Sequence, residues 1–228
     1  MSKKLNDKQL TILWSRFDVP AWAEWHDDYL AIVTWARDLP DTELRSEAAQ
    51  RRLWNARVVH RVLNGEGYED KEELRVEELL ADPDVVESIA ALRDRSWPAG
   101  TTQRAEAIEA EVDHLVELSI PYGLERAPAG PLQRVLCVLL PAETCVGGNR
   151  RNTKRLLLGG IGRAADLCQV LMRGRLRDVL GKEKDLSEHI RRSTFCWWLF
   201  ENYERLAAGR MPPWSEDEPL TVVKQSDR

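Results

Sequence analysis

Residues 132–140, LQRVLCVLL, are apolar on nearly every side of a helix, and Pro141 ends the run. A helix of about two and a half turns with no polar stripe has no face to offer water, so other elements must enclose it. The rest of the chain therefore has to supply several amphipathic helices, and its punctuation does so. Asp82, Pro83 and Asp84 form a helix start, Asp capping free amides and Pro sitting where its missing N–H costs nothing, ahead of VVESIAALRDR. Trp97, Pro98, Ala99 and Gly100 stop that helix. Thr101 or Thr102 is expected to cap the next, in which Ile108, Val112, Leu115 and Ser119 share one face.

Nearer the N-terminus, Trp22, Trp25, Tyr29, Ile32 and Val33 recur at spacings of three and four, opposite Glu24, Asp27 and Asp28. An aromatic stripe at helical period is a packing surface. A further helix is expected from Asp41 through TELRSEAAQRRLWNARVV, while VVHRVLNGEGYEDKEELRV is either its continuation with a short strand or a hairpin turning at Asn64 and Gly65. Helices are also expected at 152–158, 163–180 and 187–208. The fold class is mainly α, a multi-helix globular bundle with room for one small β-hairpin. Residues 1–208 read as one helical domain with a sub-boundary near 98–102, and 209–228 as an acidic, Pro-containing linker or tail.

The formal net charge of -5 excludes a global attraction to polyanions, so any such contact needs local enrichment. Between Gly147 and Lys184 ten cations face three carboxylates, whereas Glu66–Asp94 is acidic. Arg150, Arg151, Asn152, Lys154, Arg155, Arg173, Arg175 and Arg177 are the candidate nucleic-acid contacts, the cations neutralising phosphates and Asn152, with Asn149, hydrogen-bonding to phosphates or base edges. The other readings of this segment are a solvated surface, or a face that docks the acidic half or a protein partner.

Catalytic and cofactor patterns are weak. The P-loop spacing fails, because Asn152 or Thr153 stands where its second glycine belongs and Arg155 follows Lys154. Gly160, Gly162 and Ala165 match G-x-G-x-x-A without a preceding strand, which reads as a glycine helix break. Neither G-x-S-x-G nor H-E-x-x-H occurs, and the acidic and histidine neighbours Glu109, Asp113, His114 and Glu117 read as a hydrated face. No catalytic residue, metal ligand or cofactor is assigned. Cys137, Cys145, Cys168 and Cys196 form no C-x-x-C pair and lie in apolar or mixed stretches, as expected of reduced thiols in a cytoplasmic chain. The N-terminal lysines precede no apolar run, and nowhere do 18 apolar residues occur in a row, so neither a leader nor a membrane partner is expected.

QRRLWNARVV at 50–59, the run leading to ELLADPDVVESI at 78–89, and FCWWLFENYE at 195–204 resemble, in order and spacing, the region ahead of the motor in some McrB-like AAA+ ATPases. Between them, LQRVLCVLLPAETCVG is similar to the helix and proline turn of such regions, so the likeness covers most of residues 30–205. McrB-type motors act with a nuclease partner in modification-dependent restriction and phage (antiviral) defence, and their leading domains recognise the target or a partner. The resemblance thus implies a non-catalytic DNA-recognition or adaptor domain, an N-terminal fragment or stand-alone relative, with an ATPase or nuclease subunit as partner. The chain departs from the full pattern in having no Walker A or Walker B motif, so it would not itself hydrolyse nucleotide. The alternatives are a protein-interaction module, with Trp214 and the acidic tail ordering on a partner, and a small enzyme that binds a phosphorylated ligand at the glycine turns 147–148 and 159–162.

Overall fold

Most of the helix signals in the sequence are helix ends in the three-dimensional structure. The computed structural model describes residues 4–17, 23–54, 75–123, 130–146, 151–159 and 165–212, which contain twelve α-helices and no strand. Helix α1 (Asp7–Arg16) opens with a capping box in which Asn6 and Gln9 exchange side-chain-to-backbone hydrogen bonds of 2.9 Å each. Helix α2 (Ala23–Asp38) turns Tyr29, Ile32 and Val33 inward. The single helix expected from Asp41 is instead two, α3 (Asp41–Leu44) and α4 (Glu47–Trp54). Ser46 causes the break, since its Oγ accepts the Ala49 N–H at 3.3 Å and starts a new helix where continuation was expected.

Helix α5 (Val76–Leu80) leads into α6 (Pro83–Asp94) through the expected signal, with Asp82 accepting the Asp84 N–H at 2.9 Å and the Tyr122 hydroxyl at 2.6 Å. Helix α7 (Thr101–Ser119) buries Ile108, Val112, Leu115 and Ser119 as its periodicity requires. Its N-cap, however, is Gly100 without a side-chain cap, and Thr101 and Thr102 belong to the first turn. Helix α8 (Gly130–Leu139) is enclosed: every residue from Leu132 to Leu140 is buried, including Gln133 and Arg134. There follow α9 (Arg151–Leu158), α10 (Ala165–Leu180), α11 (Leu186–Glu201) and the short α12 (Tyr203–Ala207), the last two separated at Asn202 where one helix was expected. The hairpin alternative at 58–76 falls almost wholly outside the described residues, as do 213–228 of the tail.

Two apolar cores result. The larger draws Tyr29 from α2, Leu53 and Trp54 from α4, Ile89 from α6, Ile108 and Leu115 from α7 and the length of α8, so it spans both sides of residues 98–102. The smaller gathers Leu10, Leu13 and Phe17 near α1 with Leu156 and Leu157 of α9 and Phe195, Trp198 and Leu199 of α11. Helices α10 and α11 form the wall between them: Val170, Ile190 and Trp197 face the larger core, and Met172, Leu176 and Phe195 the smaller.

Candidate nucleic-acid interface

The eight candidate contacts separate into groups with different fates. Arg150 lies outside the described residues, as do Asn149, Gly147, Gly148, Gly160, Gly162 and Arg163. The three arginines of α10 do not present a surface to a ligand. Arg173 has a side chain 0% exposed, with Nε donating to the Ala142 carbonyl at 3.0 Å, Nη1 to the His189 carbonyl at 3.0 Å and Nη2 to Glu183 Oε1 at 2.9 Å. Arg177, one turn on, donates through Nε to Glu183 Oε2 at 3.1 Å and through Nη1 to Glu143 Oε2 at 3.2 Å, and it also reaches the Ala142 carbonyl. Arg175 pairs with Asp7 of α1. Arg173 and Arg177 are thus tied to buried carboxylates and Arg175 to the exposed Asp7, so none of the three stands on a surface as an unpaired charge.

The reason is electrostatic. Glu143 and Glu183 are themselves buried, their side chains 8% and 2% exposed, and a buried carboxylate must be paired or lose its charge. Arg104 reaches Glu143 Oε1 at 3.1 Å, and Arg192 lies 3.7 Å from Glu183 while pairing with Glu188 at 2.7 Å. Burial by itself would push the Glu183 carboxyl up, but the contact with His189 and the guanidinium groups of Arg173 and Arg177 outweigh it and hold the group well below the usual carboxylate range. The spacing of Arg173 and Arg177, one helical turn apart, was a legible sign that they share a face. Nothing in the sequence showed that this face meets Glu143 and Glu183.

The second group behaves differently. On α9, Thr153, Leu156 and Leu157 are buried, and Thr153 Oγ1 donates to the Cys196 carbonyl at 3.4 Å. At helical pitch Arg151, Lys154 and Arg155 fall within an arc of about 100° on the opposite side. Arg151 is exposed, Asn152, Lys154 and Arg155 are half-buried, and none of the three cations has a carboxylate partner among the described residues. Lys4, which no sequence argument singled out, joins them. The Leu5 N–H donates to the Leu156 carbonyl at 2.8 Å, and Lys4 lies so close to Gly159 that a Cβ built there would be 3.6 Å from its Cβ and Cδ. Lys4 is about 150 residues from α9 along the chain, so only the fold brings it to this surface.

Among the described residues, carboxylates of the acidic stretch pair elsewhere. Glu87 pairs with Arg45 at 2.7 Å, Glu78 with Arg75 at 2.7 Å, and Glu77 with Arg51, all within the first half of the chain. Gly159 has φ +83° and its N–H bonds the Arg155 carbonyl at 3.1 Å, the geometry of a left-handed helix terminator. Among the described residues no group of three or more His, Cys, Asp or Glu side chains is arranged to hold a metal ion, and no helix is long and apolar enough to cross a membrane. His26 Nε2 lies 3.1 Å from Ser187 Oγ, and burial lowers its pKa. No family model, curated protein or solved structure matches the chain.

Proposed function

We propose that this chain is a non-catalytic recognition or adaptor domain whose α9 face engages duplex DNA through its phosphates. The observation that carries the reading is the set of three cations, Arg151, Lys154 and Arg155, gathered on one outward arc without a carboxylate partner among the described residues. Phosphate contact needs mobile, unneutralised positive charge, and the release of condensed counterions supplies the affinity without base-specific geometry. The α10 arginines are left out of this face, since each already bonds a carboxylate. The defence-system setting, with an ATPase or nuclease subunit as partner, is the part of this proposal that rests on the McrB-like resemblance.

Fluorescence anisotropy with a labelled duplex across a salt series tests it. Three phosphate contacts give a slope of log affinity against log salt of about -3, against about -6 for the seven cations among the eight candidates acting together. Reversing Arg151, Lys154 and Arg155 to Glu abolishes the binding and leaves the melting temperature unchanged. Absence of any wild-type binding at low salt, or binding that survives the triple reversal, overturns the reading. A second reading takes the same unpaired cations as a dock for an acidic protein surface. Co-purification of a subunit together with indifference to DNA selects that alternative.

A further inference from the structure

Beneath α9 two thiols meet. Cys145 Sγ and Cys196 Sγ are 3.3 Å apart, both side chains fully buried, and the sulfurs need to move only on the order of 1 Å closer to reach disulfide bonding distance. Their approach is held by the bonds around them. The Cys145 N–H donates to Gln169 Oε1 at 3.0 Å, and Gln169 is itself fixed by reciprocal amide bonds with Gln133 of 3.0 and 2.9 Å. The next N–H, that of Val146, donates at 2.9 Å to Ser193 Oγ, one turn before Cys196 on α11. The turn that leads toward α9 is therefore docked on α11 at just the point where the two sulfurs face each other.

We propose that Cys145 and Cys196 are a redox-modification site, closed to an intramolecular disulfide by a peroxide. One thiolate attacks a peroxide oxygen, the O–O bond breaks, and a sulfenic acid forms as water is released. The second thiol then attacks that sulfur, its proton leaves with the hydroxyl as a second water, and the S–S bond forms. Two cysteines are oxidised by two electrons while one peroxide is reduced to two waters. A water-sized oxidant suits a buried pair. Burial pushes the Cys145 thiol well above its ordinary range, so the reaction is slow and waits on local opening of the turn. Cys137 is the third described thiol. Its sulfur accepts from Gln133 Nε2 at 3.2 Å, and it is not expected to join the pair.

The crosslink ties residue 145 to residue 196, removing freedom from the unfolded chain and fastening the turn after α8 against α11. This inference stands whether or not α9 binds DNA. The test is hydrogen peroxide treatment of the whole native chain, followed by thiol counting in denaturant and non-reducing peptide mapping. The expected result is loss of two thiols and two hydrogen masses, a single Cys145–Cys196 peptide, reversal by dithiothreitol, and a melting temperature raised by roughly 5–10 °C. Cys137→Ser keeps the product and Cys196→Ser loses it. Should Cys196→Ser fail to fold, the wild-type peptide map decides alone. Unreacted Cys145 and Cys196, separate sulfinic acids, a bond to Cys137, or a crosslink between two molecules overturns the proposal.

Discussion

Arg173 shows how far a residue's position can depart from its composition. A guanidinium in a basic stretch of sequence has a side chain 0% exposed because Ala142, Glu183 and His189 supply an acceptor for each of its nitrogens. Replacing Glu183 by Gln leaves Arg173 without its buried counter-charge, and unfolding by urea should show a loss of about 3 kcal/mol. The same substitution changes the pH response. Glu183 is held below its unfolded value of 4.5, so the stability it contributes is complete above that value and is lost as pH falls through the lower folded value. Wild-type stability should thus fall more steeply than that of Glu183→Gln once the pH drops below about 4.5, and parallel curves would show that the carboxylate carries no such linkage. The pairing of Glu183 with Arg173 was not legible, although the two are ten positions apart, because nothing in the intervening sequence says that both side chains turn inward.

At the scale of elements, α10 owes its place to a glycine. A Cβ at Gly174 would lie 2.3 Å from Thr101 Cγ2, so the helix approaches the start of α7 at a distance that only Gly permits. Gly174→Ala should therefore lower stability by about 1–3 kcal/mol despite alanine's better helix propensity, and a rise in melting temperature would contradict the packing. That contact also fixes which faces of α10 turn inward, taking Arg173 and Arg177 with them. Helix α9 is the reverse case. Its buried Thr153, Leu156 and Leu157 and its outward Arg151, Lys154 and Arg155 follow from helical period alone, and its end follows from Gly159. Such a partition is local and needs no distant segment. The split between α3 and α4 was equally local in cause, a serine cap at Ser46, but it lay inside a stretch whose polarity gave no reason to stop.

The two cores of the whole molecule share α10 and α11, and such sharing makes them fail together. Phe195 contacts Trp14, Phe17 and Trp198 at centroid distances of 5.3, 5.3 and 5.8 Å in the smaller core, while Ile190, five residues earlier on α11, is buried in the larger. Phe195→Ala should cost about 3–5 kcal/mol and Ile190→Ala about 2–5 kcal/mol, each shifting one calorimetric transition in which both cores melt. Two separated transitions in either variant would mean that the cores are independent. By itself the sequence determined that the chain is helical, that LQRVLCVLL is enclosed, where α6 and α7 divide, and that α9 has one charged side. These depend on period, caps and breakers acting within a few residues. The tertiary structure alone decided that three of the basic side chains are bound to carboxylates, that Lys4 joins α9, and that Cys145 meets Cys196. Each of those is a contact between segments distant in the chain or a choice of inward face, set by which surfaces exclude water together rather than by any neighbour in the sequence.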